Sequence, residues 1–84
     1  MISEKTIKAL DVLIERKLGS DPERLIRIAV RDNYVKEVFP PKTPRQSMAS
    51  QLGEYMKSRG DRWEIEHKQG CYFLSRKPEM VSSS

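Results

Sequence analysis

Cysteine, histidine and long apolar runs are scarce in this sequence, and each scarcity closes off a class of chemistry. The single cysteine, Cys71, leaves no partner for an internal disulfide, and tetrahedral zinc needs several nitrogen or sulfur ligands. One thiol of this kind suits a reducing cytosol. One histidine, His67, and one cysteine give no Ser/His/Asp constellation, metal cluster or Gly-rich phosphate loop that the spacing brings together. Glu64 and Glu66 alternate along a strand pattern, which gives them a solvated edge and not a closed cleft. No apolar run approaches the roughly 20 residues that cross a bilayer, and the N-terminal stretch lacks the form of a signal peptide. The expectation is a soluble, cytoplasmic chain, not an enzyme, with no metal and no cofactor.

What is present is a periodic, mildly basic chain of 84 residues, long enough for one small core. At 37% hydrophobic and 33% charged it is too apolar to read as disordered. The net charge is +4, and its distribution is uneven. Between residues 40 and 62, Lys42, Arg45, Lys57, Arg59 and Arg62 face only Glu54 and Asp61, a local +3, while the other segments nearly balance. Excess charge of this kind is either a solvated basic surface or a footprint for an acidic partner.

That segment holds the best-punctuated helix, residues 43–59. Thr43 fits the N-cap, Pro44 the first helical position and Gln46 the reciprocal place of a capping box, with Gly60-Asp61 as the stop. Met48, Leu52, Tyr55 and Met56 define its inward stripe, and a methionine stripe at this spacing is core. Gln46, Ser47, Ser50, Glu54 and Lys57 lie opposite. Glutamine and serine side chains can hydrogen-bond base edges or phosphates, whereas Glu54 would repel a phosphate.

Earlier in the chain, Ser3 caps a first helix to about Leu18, with Ile7, Leu10, Leu13, Ile14 and Leu18 inward and Gly19 closing it. Asp21-Pro22 then predicts a second helix to about Tyr34, with Leu25, Ile26, Ala29, Val30 and Tyr34 inward. In such a helix Arg24, Arg27 and Arg31 fall within about 60° of one another, a stripe suited to phosphate oxygens or to salt pairing with neighbouring acids. Residues 35–42 read as a short extended piece broken by Pro40-Pro41.

After Arg62 the period changes to two. Residues 62–68 and 71–77 alternate about Gln69-Gly70, a β-hairpin with a two-residue loop. In that register Trp63, Ile65, Tyr72 and Leu74 face the helices, while Glu64, Glu66, Lys68 and Phe73 face out. The domain spans 1–78, and the Ser-rich residues 79–84 read as a flexible tail.

Residues 43–77 resemble the second half of HARE helix-turn-helix domains. The likeness rests on Thr43-Pro44, Gln46-Ser47 and Gln51-Leu52 with Met48 and Met56 inward, on Arg62 before the first wing strand, and on Gly70-Cys71-Tyr72-Phe73-Leu74 at the hairpin return. The Pro40-Pro41 link departs from that family. The resemblance implies an α+β, three-helix winged helix-turn-helix with a C-terminal two-stranded wing. It further implies a module that binds double-stranded DNA as a small transcriptional or recombination regulator, nucleoid-associated or nuclear by source. Helix 43–59 would enter the major groove and wing 62–77 would touch backbone or minor groove. The residues so assigned are Lys42, Thr43, Arg45, Gln46, Ser47, Ser50, Lys57, Lys68, Gln69 and Arg76, with Arg24, Arg27 and Arg31 as secondary phosphate contacts. The second reading is a protein-interaction module on the same scaffold, using Glu54, Glu64, Glu66 and Phe73. Neither reading specifies an oligomeric state.

Overall fold

A computed structural model describes residues 2–77. Its elements run α1 (Glu4–Leu18), β1 (Ile26–Ile28), α2 (Asn33–Lys36), α3 (Arg45–Ser58), β2 (Trp63–Lys68) and β3 (Cys71–Arg76). The architecture is α+β, three helices with a three-stranded antiparallel sheet in the order β1-β3-β2. The expected tail at residues 79–84 lies outside the described residues.

Helix α1 starts and ends as its sequence predicts. Ser3 Oγ accepts the Thr6 amide at 3.2 Å, and Gly19, at φ 61°, returns its own amide to the Glu15 carbonyl. Leu10, Ile14 and Leu18 are fully buried, with Ile7 and Leu13 packed at their margin. Val12 is exposed, as the helical spacing requires.

The expected second helix is not there. Asp21 Oδ1 accepts the Glu23 amide at 3.0 Å, so the Asp-Pro signal closes a local turn instead of opening a helix. Ile26-Arg27-Ile28 then runs extended and pairs with β3, placing Ile26 opposite Leu74 and Ile28 opposite Tyr72. Leu25, assigned inward on a helix, is exposed. Helix appears only at Asn33–Lys36, where Val35 is buried. The extended piece expected over residues 35–42 is also replaced. Val38 and Phe39 donate to the carbonyls of Val35 and Lys36 in tight turns, and Phe39 enters the core. The extra strand of the sheet is Ile26–Ile28, before α2, in the segment expected to be helical.

Helix α3 forms with different ends. Pro44 (φ −62°) is the N-cap, and no side chain caps the helix. The capping box fails because the Thr43 hydroxyl donates to the Pro40 carbonyl at 2.6 Å, in the turn that brings Lys42 to φ 70°. Gly60 does not take the left-handed conformation expected of it. Arg59 is the C-cap, and its carbonyl accepts from both Arg62 and Trp63, carrying the chain straight into β2. The inward stripe is as expected: Met48, Leu52, Tyr55 and Met56 join Leu10, Ile14, Leu18, Ile28, Val35, Phe39, Trp63 and Leu74 in one core.

The hairpin register is the expected one, Trp63 opposite Arg76, Ile65 opposite Leu74 and His67 opposite Tyr72. Gln69 and Gly70 both have positive φ, 51° and 76°, the requirement of a type I′ loop. Phe73 is half-buried rather than open, because β1 lies alongside it with Arg27 directly opposite.

One carboxylate joins the two long helices. Asp11 of α1 accepts Arg59 Nε and Nη2, each at 2.9 Å, together with the Tyr55 hydroxyl, and Arg62 Nη1 stands 3.4 Å away. The Asp11 and Arg59 side chains are each about one-fifth exposed. Burial raises the Asp11 pKa, but hydrogen bonds from Arg59 and Tyr55 and the charges of Arg59 and Arg62 outweigh it and hold the carboxyl below its usual 3.8. Burial and the Asp11 hydrogen bond raise the Tyr55 phenol. A folded-state pKa below the unfolded one contributes stability above the unfolded pKa, and that contribution is lost as pH falls through the folded value. Asp11→Asn is therefore expected to cost about 1–2 kcal/mol at pH 7, between the worth of an exposed and a buried pair. In urea titrations the gap between variant and wild type should close below pH 4. A gap that persisted at low pH would show the clamp to act through shape alone.

Candidate nucleic-acid interface

Helix α3 turns its polar side to solvent. Arg45, Gln46, Ser50, Glu54 and Lys57 are exposed on it, and Lys42 is exposed just before it. Ser47 is half-buried and accepts Gln51 Nε2 at 3.0 Å, so its hydroxyl is already engaged within the helix. No side chain caps α3, so the amides of its first turn keep no side-chain partner, and the exposed Lys42, Pro44 and Arg45 flank the positive end of its dipole. Thr43, half-buried and committed to Pro40, supports this end through the turn and not by presenting its hydroxyl.

The hairpin stands beside α3, and the two enclose an open groove of about 830 Å³. Ser50, Gly53 and Lys57 form its helical wall; Ile65, His67 and Tyr72 form the opposite one. His67 and Tyr72, directly opposed in the ladder, stack with ring centroids 4.2 Å apart and planes 6° from parallel. Tyr72 comes close to the helix at Gly53, where a Cβ would lie 3.2 Å from its hydroxyl, a tight contact that would make the tyrosine give by a few tenths of an ångström. The sequence reading missed Gly53 and Tyr72 as groove residues. A signal existed, because a glycine inside an amphipathic helix costs roughly 1 kcal/mol against alanine and often marks a close approach. At the hairpin tip Lys68 and Gln69 are exposed, with Lys68 Nζ 3.6 Å from Glu66.

The remaining candidates lie elsewhere. Arg24, Arg27 and Arg31 do not form a helical stripe, since they belong to β1 and its flanks at the far edge of the sheet from β2. Each has a partner: Arg24 reaches the Lys17 carbonyl at 3.4 Å, Arg27 bridges Asp32 at 3.0 Å, and Arg31 donates to Cys71 Sγ at 3.3 Å. Arg76 is turned onto α1, 2.9 Å from Glu15 and 2.6 Å from the Gly19 carbonyl. Arg59 and Arg62 serve Asp11. The bases gathered at α3 and the hairpin tip are thus Lys42, Arg45, Lys57 and Lys68, with Glu54 among them.

Gly53→Leu tests the close approach. It is expected to push Tyr72 away from α3 and break its stack with His67. His67 ring protons would then lose the upfield NMR shift that a parallel neighbouring ring confers. Unchanged ring shifts would show that the hairpin does not lean on the helix at this point. Among known protein families, curated proteins and solved structures, this chain finds no match.

Proposed function

We propose that this protein is a winged helix-turn-helix module that binds duplex DNA, with α3 in the major groove and the β2–β3 hairpin as the wing. The observation that carries the reading is the joint presentation of α3 and the hairpin tip: Gln46, Ser50 and Lys57 exposed on the helix, Lys42 and Arg45 at its uncapped N-terminus, Lys68 and Gln69 at the tip. An α-helix with side chains is roughly 10–12 Å across, which fits a major groove about 12 Å wide. Helix-turn-helix proteins present the N-terminal part of the recognition helix to base edges, where Gln46 and Ser50 lie. Gln46 is suited to adenine, and Ser50 permits close approach without choosing a base. Lys42 and Arg45, with the free amides of the first turn, suit phosphate oxygens. The likeness of residues 43–77 to HARE domains points the same way.

Arg76, Arg24, Arg27 and Arg31 take no primary part in this reading, because their guanidinium groups are engaged within the fold. The interface offers few cations, so non-specific affinity is modest. No residue is assigned a catalytic role. The biological role is that of a small transcriptional or recombination regulator, acting wherever its DNA resides.

Duplex binding followed by fluorescence anisotropy tests the proposal. With about four phosphates neutralised, log K should fall against log salt with a slope of about −3 to −4. Ser50→Glu is expected to abolish binding with the fold intact by circular dichroism. Glu54→Gln should strengthen it about twofold to fivefold, the worth of one solvent-screened charge. No retention of duplex at ~50 mM salt, where such contacts are strong, would sink the reading. So would equal affinity of wild type and Ser50→Glu.

A further inference from the structure

The face of the sheet turned away from the helices has a different character from α3. Alternation sends Trp63, Ile65 and Leu74 toward the core and Glu64, Glu66 and Phe73 to the other side. There Leu25 and Phe73 line a shallow cleft of about 520 Å³, bounded by Glu64, Glu66 and Ser75. Leu25 is 64% exposed, and Val12 on α1 is the only other large hydrophobic residue so open among the described residues. An isolated exposed leucine means little, but one placed beside an aromatic ring and rimmed by carboxylates has the anatomy of a small binding patch.

Charge specifies the occupant. Glu64 has no ion-pair partner among the described residues, and Glu66 has only Lys68, at 3.6 Å in a pair where both side chains are more than half exposed. Such a pair is worth little and yields to an incoming cation. Arg27, across the ladder from Phe73, pairs with Asp32 at 3.0 Å and not with Glu64 or Glu66. A chain with net charge +4 thus keeps one unpaired carboxylate, Glu64, and one weakly paired carboxylate, Glu66, beside its apolar cleft. Strand β2, which carries both carboxylates, is an edge of the sheet, so a partner can reach this face from that side.

We infer that the outer face of the sheet, around Leu25, Phe73, Glu64 and Glu66, docks an extended basic peptide segment of a partner protein carrying an apolar anchor. The anchor covers Leu25 and Phe73, and flanking lysine or arginine side chains pair with Glu64 and Glu66. This face and the exposed side of α3 are different surfaces that meet at the Glu66–Lys68 pair, so the domain can recruit a basic partner to DNA, with Lys68 released toward the duplex when the peptide takes Glu66.

The test uses the whole chain, labelled with ¹⁵N, and the peptide Lys-Leu-Lys-Phe-Lys-Leu-Lys, with glutamate replacing every lysine in the control. The basic peptide is expected to shift the amides of Leu25, Glu64, Glu66 and Phe73 and to leave those of Gln46 and Ser50 in place. The control should shift none of them. Two variants at exposed positions keep the fold: Glu64→Lys with Glu66→Lys, and Leu25→Ser. Each should weaken the peptide about tenfold or more, the scale of a like-charge clash or a lost anchor. Equal response to both peptides, shifts confined to the α3 groove, or unaltered affinity in both variants would overturn the inference. So would concentration-dependent shifts at Leu25 and Phe73 without peptide, which would identify a second copy of this chain as the occupant. The double glutamate variant should keep or gain duplex affinity, so loss of the peptide contact and loss of the DNA contact are read separately.

Discussion

The Asp11 carboxylate is the constraint on which the geometry of the molecule depends. It sits midway along α1 and gathers Arg59, Arg62 and the Tyr55 hydroxyl, all from the last turn of α3 and the turn that follows. An apolar helix interface leaves sliding and rotation weakly determined, whereas a two-pronged guanidinium–carboxylate contact fixes both. The contact comes immediately before Trp63, the first residue of β2 and fully part of the core. One acid therefore sets the axial position of α3 and the point from which the hairpin departs. It also removes two arginines from the outward charge of the segment that looks most basic in the sequence.

Pairing of β1 with β3 changes what the hairpin is mechanically. A two-stranded ribbon alone is marginal in water, and three strands with an apolar face are not. Ile26–Ile28 pair with Tyr72–Leu74, so the middle of the hairpin, where those residues oppose Ile65–His67, belongs to a three-stranded sheet, while Lys68–Cys71 extend beyond β1 as two strands. The base, where Trp63 opposes Arg76, is held by Arg76 on α1, through Glu15 and the Gly19 carbonyl. Gly53, Tyr72 and His67 then brace the middle of the hairpin against α3. The result is a firm base, a braced middle and a freer tip, and the tip carries Lys68 and Gln69.

Legibility in the sequence followed locality. Helix α1 with both its ends, the inward stripe of α3 and the hairpin register were readable, because each is decided by residues within a few positions of one another. The segment from Pro22 to Tyr34 was not. Ile26, Ala29 and Val30 satisfy helical spacing, but Ile26-Arg27-Ile28 equally satisfies strand alternation, and three residues are too few for period to arbitrate. What decides is β3, more than forty residues downstream, which offers an edge that an isolated helix would leave unpaired. Thr43 failed as a cap for a similar reason: its hydroxyl had a nearer carbonyl in the Pro40 turn. The candidate site was half legible. Exposure of Gln46, Ser50 and Lys57 follows from helix phase, whereas the loss of Arg24, Arg27, Arg31, Arg59, Arg62 and Arg76 to internal partners follows from contacts that a count of charges does not contain.

That loss alters how the net charge should be understood. A basic balance of +4 suggests a diffuse positive surface, but the arginines mostly act within the fold, and the outward cations at α3 and the hairpin tip are chiefly lysines. Arginine is the better residue for forked, partly buried contacts with carboxylate and carbonyl oxygens, and lysine the better mobile, hydrated point charge. The division of labour is consistent along the chain. Rigid guanidinium forks tie α1 to α3 and to β3, and Lys42, Lys57 and Lys68 remain exposed with Arg45 beside them. On the proposed DNA reading, so few outward cations give weak long-range attraction, and discrimination would come from how well Gln46 and Ser50 fit the base edges. The acidic cleft on the opposite side of the sheet sharpens the same point, because two surfaces of opposite sign on one small domain orient it toward a charged partner even when its net charge does not.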